Sequence, residues 1–257
     1  MSFTPVARAI IKQPSPGPAV ASVLWLHGLG DTGAGWADVA EQSPFSGFLQ
    51  KGVRFTFPSA PLLPVTLNGG MRMPSWCEHL LARFRLEALP DALVLFAFRF
   101  DIASLSSIDN NEDLDGLALA SAFVESLVDA EVASGVPRSK VFVAGFSQGG
   151  AVALDVLRRS PAPLGGVLAL STWLCGAESL PPPKAEVSST PIFMAHGRMD
   201  QTVQTRYGVQ SAEKLKSQGF PVEFRLYDMA HSACAEELAH AAAWLDARLK
   251  DGGACAA

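Results

Sequence analysis

The chain is poor in charge and cysteine and has no long uninterrupted apolar run, and each shortage removes a class of protein. Charged residues are 18% of its 257 residues, against a typical share of about 25%. With 25 acidic and 20 basic residues the net charge is -5, so no basic field exists to attract nucleic-acid phosphates or an anionic lipid surface. Hydrophobic residues at 49% and a mean hydropathy of +0.22 exclude intrinsic disorder and suggest a core-rich globule suited to handling lipid. The four cysteines, Cys77, Cys175, Cys234 and Cys255, form no CxxC and no zinc-ligand spacing with the five histidines. Neither a metal site, nor an organic cofactor, nor a disulfide framework is therefore expected, and a reducing compartment fits best. No stretch reaches the ~18 apolar residues of a membrane span, and Met1 to Pro5 does not begin a signal peptide. The reading is a soluble, cytoplasmic protein. Cys255 is too close to the end for a prenylation box, and Ser2 stands where myristoylation needs glycine.

What is present is an alternation. Apolar runs of five to eight residues alternate with helical patterns, as in βαβ units around a mostly parallel sheet. Strands are expected at Val20 to Leu26, Val53 to Phe57, Lys140 to Gly145, Leu164 to Leu170, Pro191 to Ala195 and Val222 to Tyr227, with an edge strand over Val6 to Ile11. Helices are expected over residues 112–134, 149–159, 205–218 and 234–249. The length suits a single α/β domain over residues 1–257, large enough to need no covalent staple. One stretch, Cys77 to Phe100, fits the alternation poorly and reads either as helix then strand or as a flap over a pocket.

The sharpest local signal is Gly145-Phe146-Ser147-Gln148-Gly149. GxSxG also occurs by chance in tight βα turns, but this one leaves a buried strand and enters a helix. There a serine on a strained turn needs glycine on both sides and lifts its hydroxyl above the sheet. The Gln148 N–H, at the helix N-terminus, would then face negative charge developing on an attacked carbonyl. A serine hydroxyl is a weak nucleophile without a base, so a working site requires a later carboxylate and histidine. Asp200 and His231 supply them, each just past an expected strand and therefore on the same rim of the sheet. His27 more plausibly shapes a loop, His196 precedes the acid, and His240 falls mid-helix, where a solvated face is the plainer reading. Asp228 is the rival acid, though three residues from His231 on one loop is poor geometry. The second motif, Leu26-His27-Gly28-Leu29-Gly30-Asp31-Thr32-Gly33, lacks phosphate-loop spacing and instead fits a loop offering the Leu29 N–H as a second oxyanion donor.

These motifs, with Phe57-Pro58-Ser59-Ala60-Pro61, Met73-Pro74-Ser75-Trp76, Leu170-Ser171-Thr172-Trp173-Leu174, His196-Gly197 and His231-Ser232, run in order over nearly the whole chain. In them the chain resembles the acyl-protein thioesterase branch of the phospholipase/carboxylesterase family, small α/β-hydrolases without a large cap domain. The resemblance implies Ser147 as nucleophile, His231 as base, Asp200 as its orienter, and Leu29 and Gln148 as oxyanion donors. It implies an acyl channel lined by Leu63, Trp76 and Trp173, and S-acylated proteins or lysophospholipids as substrates. Three departures stand out: an insertion at 77–99 beside the expected channel, Ser2 where animal relatives often carry an acylated cysteine, and Gln201 and Gln204 in place of prolines around the acid. The resulting expectation is a serine hydrolase that removes palmitate from protein thioesters. The alternatives are a lysophospholipase or general carboxylesterase, or a non-catalytic lipid-binding module.

Overall fold

The computed structural model describes residues 9–65, 68–76, 114–177, 179 and 183–251. Seven strands form the central sheet: β1 (Ile10–Lys12), β2 (Ala21–Leu26), β3 (Val53–Phe57), β6 (Val141–Phe146), β7 (Gly166–Leu170), β8 (Ile192–Gly197) and β9 (Val222–Tyr227). Their order is β1-β3-β2-β6-β7-β8-β9, with β1 antiparallel to β3 and every other pairing parallel. A parallel sheet is buried on both faces, which is why these strands read as unbroken apolar runs.

Successive side chains alternate between two cores. Leu24, Val143, Val167 and Met194 join a cluster with Leu117, Val124, Leu154 and Leu215; these come from α2 (Leu114–Ala133), α3 (Gln148–Arg159) and α4 (Thr205–Ser217). Trp25, Phe142, Leu168 and Phe193 instead meet Ala37, Ala241 and Leu245, from α1 (Gly33–Ala37) and α5 (Ala235–Asp251). The sheet is thus covered by helices on both sides, as the βαβ alternation requires.

Expected strands and helices lie within a few residues of their observed bounds. The edge strand sits later than expected, at Ile10–Lys12, pairing with β3; the first part of the expected run lies outside the described residues. The sequence reading missed an antiparallel hairpin, β4 (Leu62–Val65) and β5 (Met71–Pro74). Pro64 and Pro74 suppress its strand signal, since proline removes a ladder donor. The segment 77–99 also lies outside the described residues. Among the described residues no helix is long and apolar enough to cross a membrane.

One buried charge sets a pH response. Glu237, in the first turn of α5, is fully buried, and among the described residues no side-chain or backbone group meets either carboxyl oxygen at full hydrogen-bond geometry. Burial pushes its carboxyl up to about 8, against the lowering pull of the Cys234 backbone N–H. The folded chain therefore holds a proton that the unfolded chain releases above its ordinary value near 4.5. Stability from this group is complete below that value and is lost as pH rises through about 8. Glu237→Gln keeps the shape without the acid. Thermal unfolding from pH 5 to pH 9 should show the variant gaining on the wild type as pH rises, by a few kcal/mol at the alkaline end; parallel curves would refute this role.

Candidate active site

Ser147 stands between β6 and α3 at φ 53°, ψ -121°, a left-handed conformation that few non-glycine residues adopt. The glycines beside it are steric requirements. A Cβ on Gly145 would lie 2.3 Å from the Gly149 carbonyl, and one on Gly149 would lie 2.5 Å from the carbonyl oxygens of Leu26 and His27. α3 can pack this closely on β6 and on the end of β2 only without those side chains. The turn is held from behind by Thr172, whose hydroxyl donates to the Ser147 carbonyl at 2.7 Å.

His231, in the loop after β9, has Nε2 2.9 Å from Ser147 Oγ and Nδ1 2.7 Å from Asp200 Oδ2. The ionised carboxylate can only accept, so Nδ1 carries the proton and Nε2 is free to accept from the serine hydroxyl. Phe146 packs on the imidazole at 4.9 Å between ring centroids, restricting its swing. Asp200, in the loop after β8, uses Oδ1 to accept the backbone N–H groups of Thr202 and Val203, each at 2.9 Å. Its loop therefore closes on the acid with Gln201 and Gln204 in place. Oδ2 meets His231 and also His196, whose Nε2 lies 3.3 Å away and 2.8 Å from the Val203 carbonyl. Burial alone would raise the Asp200 carboxyl, but hydrogen bonds from His196 and His231, with the Val203 N–H, outweigh it and hold the acid well below the usual carboxylate range.

The rival acid, Asp228, is solvated: its side chain is 86% exposed and pairs with Arg198 at 3.1 Å. His240 differs from its expected solvated face, since its Nδ1 lies 3.0 Å from the Tyr227 hydroxyl and it is half-buried. Sequence reasoning set His196 aside because it precedes the acid. Its spacing of four from Asp200, across the end of β8, was the available signal.

The two oxyanion candidates occupy turns beside Ser147. The Gln148 N–H lies in the first turn of α3, where no intrahelical acceptor exists. In the loop after β2, Gly30 N–H donates to the Pro74 carbonyl and Asp31 N–H to the Gly28 carbonyl, while the Leu29 N–H has no backbone acceptor among the described residues. The Gln148 side chain, unremarked in the sequence reading, ties the β4–β5 hairpin to this centre: its Oε1 accepts the Trp76 backbone N–H at 3.0 Å and its Nε2 donates to Ser75 Oγ at 3.1 Å. Leu63, Trp76 and Trp173 are all buried; Trp76 packs against His27 at 4.9 Å and Phe123 at 6.4 Å.

Chemically, the arrangement offers a hydroxyl hydrogen-bonded to an imidazole, a carboxylate fixing that imidazole, and the backbone N–H of Gln148 at the start of the helix that follows the hydroxyl. Comparison with known proteins places the chain among similar ones. The sequence profile described as Phospholipase/Carboxylesterase matches residues 7–85 and 98–249. Acyl-protein thioesterase 1 of Neurospora crassa is 38% identical over 230 residues, 86% of this chain and 85% of that protein. Acyl-protein thioesterase 1 of Mycosarcoma maydis is 36% identical over 256 residues, 94% of this chain and 97% of that one. Among solved structures, Zea mays acyl-protein thioesterase 2 superposes with a TM-score of 0.72 at 27% identity, covering 95% of this chain and 99% of that one. Arabidopsis thaliana SOBER1 gives 0.69 at 31% identity, covering 89% and 99%.

Proposed function

The chain belongs to the phospholipase/carboxylesterase family of α/β-hydrolases, and from that premise we propose that it is a serine hydrolase cleaving long-chain acyl thioesters, palmitoyl foremost, from protein cysteines. The observation that carries the reading is the continuous hydrogen-bonded line Ser147, His231, Asp200 on a chain whose relatives over most of its length are named acyl-protein thioesterases. Ser147 is the nucleophile, His231 the base, and Asp200 the group that fixes the imidazole. His231 Nε2 takes the hydroxyl proton as Oγ attacks the thioester carbonyl, and the Leu29 and Gln148 N–H groups bind the oxyanion. Collapse expels the thiolate, which His231 protonates, leaving the acyl group esterified to Ser147. A water activated by the same imidazole then releases the fatty acid. A thiol leaving group with pKa near ~8.5 departs more readily than an alkoxide, so acylation on a thioester asks little of His231 as acid.

Leu63, Trp76 and Trp173 are the apolar side chains to which we assign the acyl chain. Among the described residues the free thiol of Cys234 fits a reducing, cytoplasmic setting. The family description, which spans phospholipases and carboxylesterases, favours one second reading: the same centre acting on lysophospholipid oxyesters.

Parallel assays on a palmitoyl-thioester peptide and on lysophosphatidylcholine test the choice. The thioester should be turned over with a kcat/KM at least ~10-fold higher, its better leaving group acting in the acylation step. A preference for the lysolipid would make oxyester hydrolysis the principal activity. Binding of palmitate with turnover of neither would replace the enzyme with a binding module.

A further inference from the structure

His27 closes β2, is fully buried and is not used by the reaction described above. Its ring has two polar neighbours. Nε2 lies 2.9 Å from the Ala60 backbone nitrogen and Nδ1 lies 2.7 Å from the Gly28 carbonyl oxygen. A backbone N–H can only donate, so Nε2 is the acceptor, and in the neutral ring the proton must then sit on Nδ1 and be donated to Gly28. Burial holds the ring below its ordinary histidine value, against the pull of the Gly28 carbonyl and Asp31, which preserves this neutral tautomer. The ring cannot easily leave: Trp76 lies against it, and the Trp76 indole N–H donates to the His27 carbonyl at 2.7 Å.

The Gly28 oxygen receives a second donor, the Asp31 N–H, at 3.2 Å. That carbonyl and the Leu29 N–H are opposite ends of one planar trans peptide, so donors that pin the oxygen also aim the N–H the other way. The peptide lies beside the nucleophile, since a Cβ on Gly28 would come within 3.4 Å of Ser147 Cβ and 3.1 Å of the Phe146 ring. A hydrogen bond to the carbonyl also polarises the peptide and strengthens its N–H as a donor.

We propose that His27 is a positioning residue for the oxyanion site: through Nδ1–H it holds the Gly28–Leu29 peptide so that the Leu29 N–H meets the charge formed when Ser147 attacks. The inference rests on the reading of Leu29 as an oxyanion donor. Two variants separate the ring's two bonds, because an asparagine amide nitrogen takes the place of Nδ1 and a glutamine oxygen the place of Nε2. His27→Gln should keep the Ala60 bond, lose the Gly28 bond and lower kcat by ~10²-fold with KM changed less than about threefold. His27→Asn should recover most of that rate despite losing the Ala60 bond.

Both variants lose the ring's packing and differ in which of its two bonds survives, so a faster His27→Asn assigns the rate to the Gly28 bond rather than to the Ala60 bond, and thermal unfolding verifies that each is folded. Affinity for a long-chain trifluoromethyl ketone, which forms an oxyanion on Ser147, should fall in step with kcat. If His27→Gln retains wild-type kcat, or both variants lose activity equally while the ketone binds as before, the positioning role is wrong and the hydrolase reading stands. A wild type silent toward both thioester and oxyester would remove the hydrolase reading, and this proposal with it.

Discussion

Ser147→Ala should abolish thioester turnover, lowering kcat by ~10⁵- to 10⁶-fold, the scale on which a triad nucleophile's removal is felt. Loss of Oγ removes the atom proposed to attack, the group 2.9 Å from His231 Nε2. Whatever rate remains comes from substrate binding and oxyanion stabilisation acting on water. The fold should survive. Ser147 donates one side-chain hydrogen bond, to a half-buried histidine, and its deletion costs about 1 kcal/mol, a shift of a few degrees in Tm for a chain of this size. Its φ of 53° is equally strained in serine and alanine, so the substitution leaves the backbone term unchanged. Circular dichroism and unfolding beside steady-state assays check both halves of the expectation; turnover within tenfold of wild type would place the nucleophile elsewhere.

Asp200→Asn should cost about 10⁴-fold in kcat with little change in substrate affinity. The substitution is nearly isosteric, and the amide oxygen can still accept from Thr202 and Val203. The amide nitrogen, however, would face two N–H donors, from His231 and His196. His231 escapes the clash by moving its proton to Nε2, where it can no longer accept the serine proton. The same carboxylate contributes to stability. Its folded value is depressed, so that contribution is present above the unfolded value of about 3.9 and disappears as pH falls toward the folded one. The variant lacks it throughout the pH range, so its Tm deficit should be clear at pH 7 and shrink on acidification. A variant with unaltered kcat would show that the carboxylate does not set the imidazole tautomer.

The parallel core was legible because strands buried on both faces must be apolar throughout, as β6, β7 and β8 are. The positions of Ser147, Asp200 and His231 followed from one topological rule: loops leaving the ends of parallel strands share a rim. What escaped depends on contacts between residues distant in sequence or on backbone geometry. The β4–β5 hairpin carries prolines in both strands, and only its pairing reveals it. The bond from Gln148 to Trp76 spans 72 positions, and that from Ala60 to His27 spans 33. His196 was dismissed by chain order, although order constrains only the reacting groups and not the residue that supports the acid. The expected insertion at 77–99 lies outside the described residues; the family profile skips a shorter stretch within it, residues 86–97.

The account is tested most directly by trapping the acyl-enzyme. Wild-type protein mixed with excess palmitoyl-thioester peptide, quenched in acid within the first turnover and digested, should yield a palmitoyl adduct in the peptide carrying Ser147, absent from Ser147→Ala. Thiol product without any covalent adduct at Ser147, or an adduct on Cys175 or Cys234 instead, would contradict it.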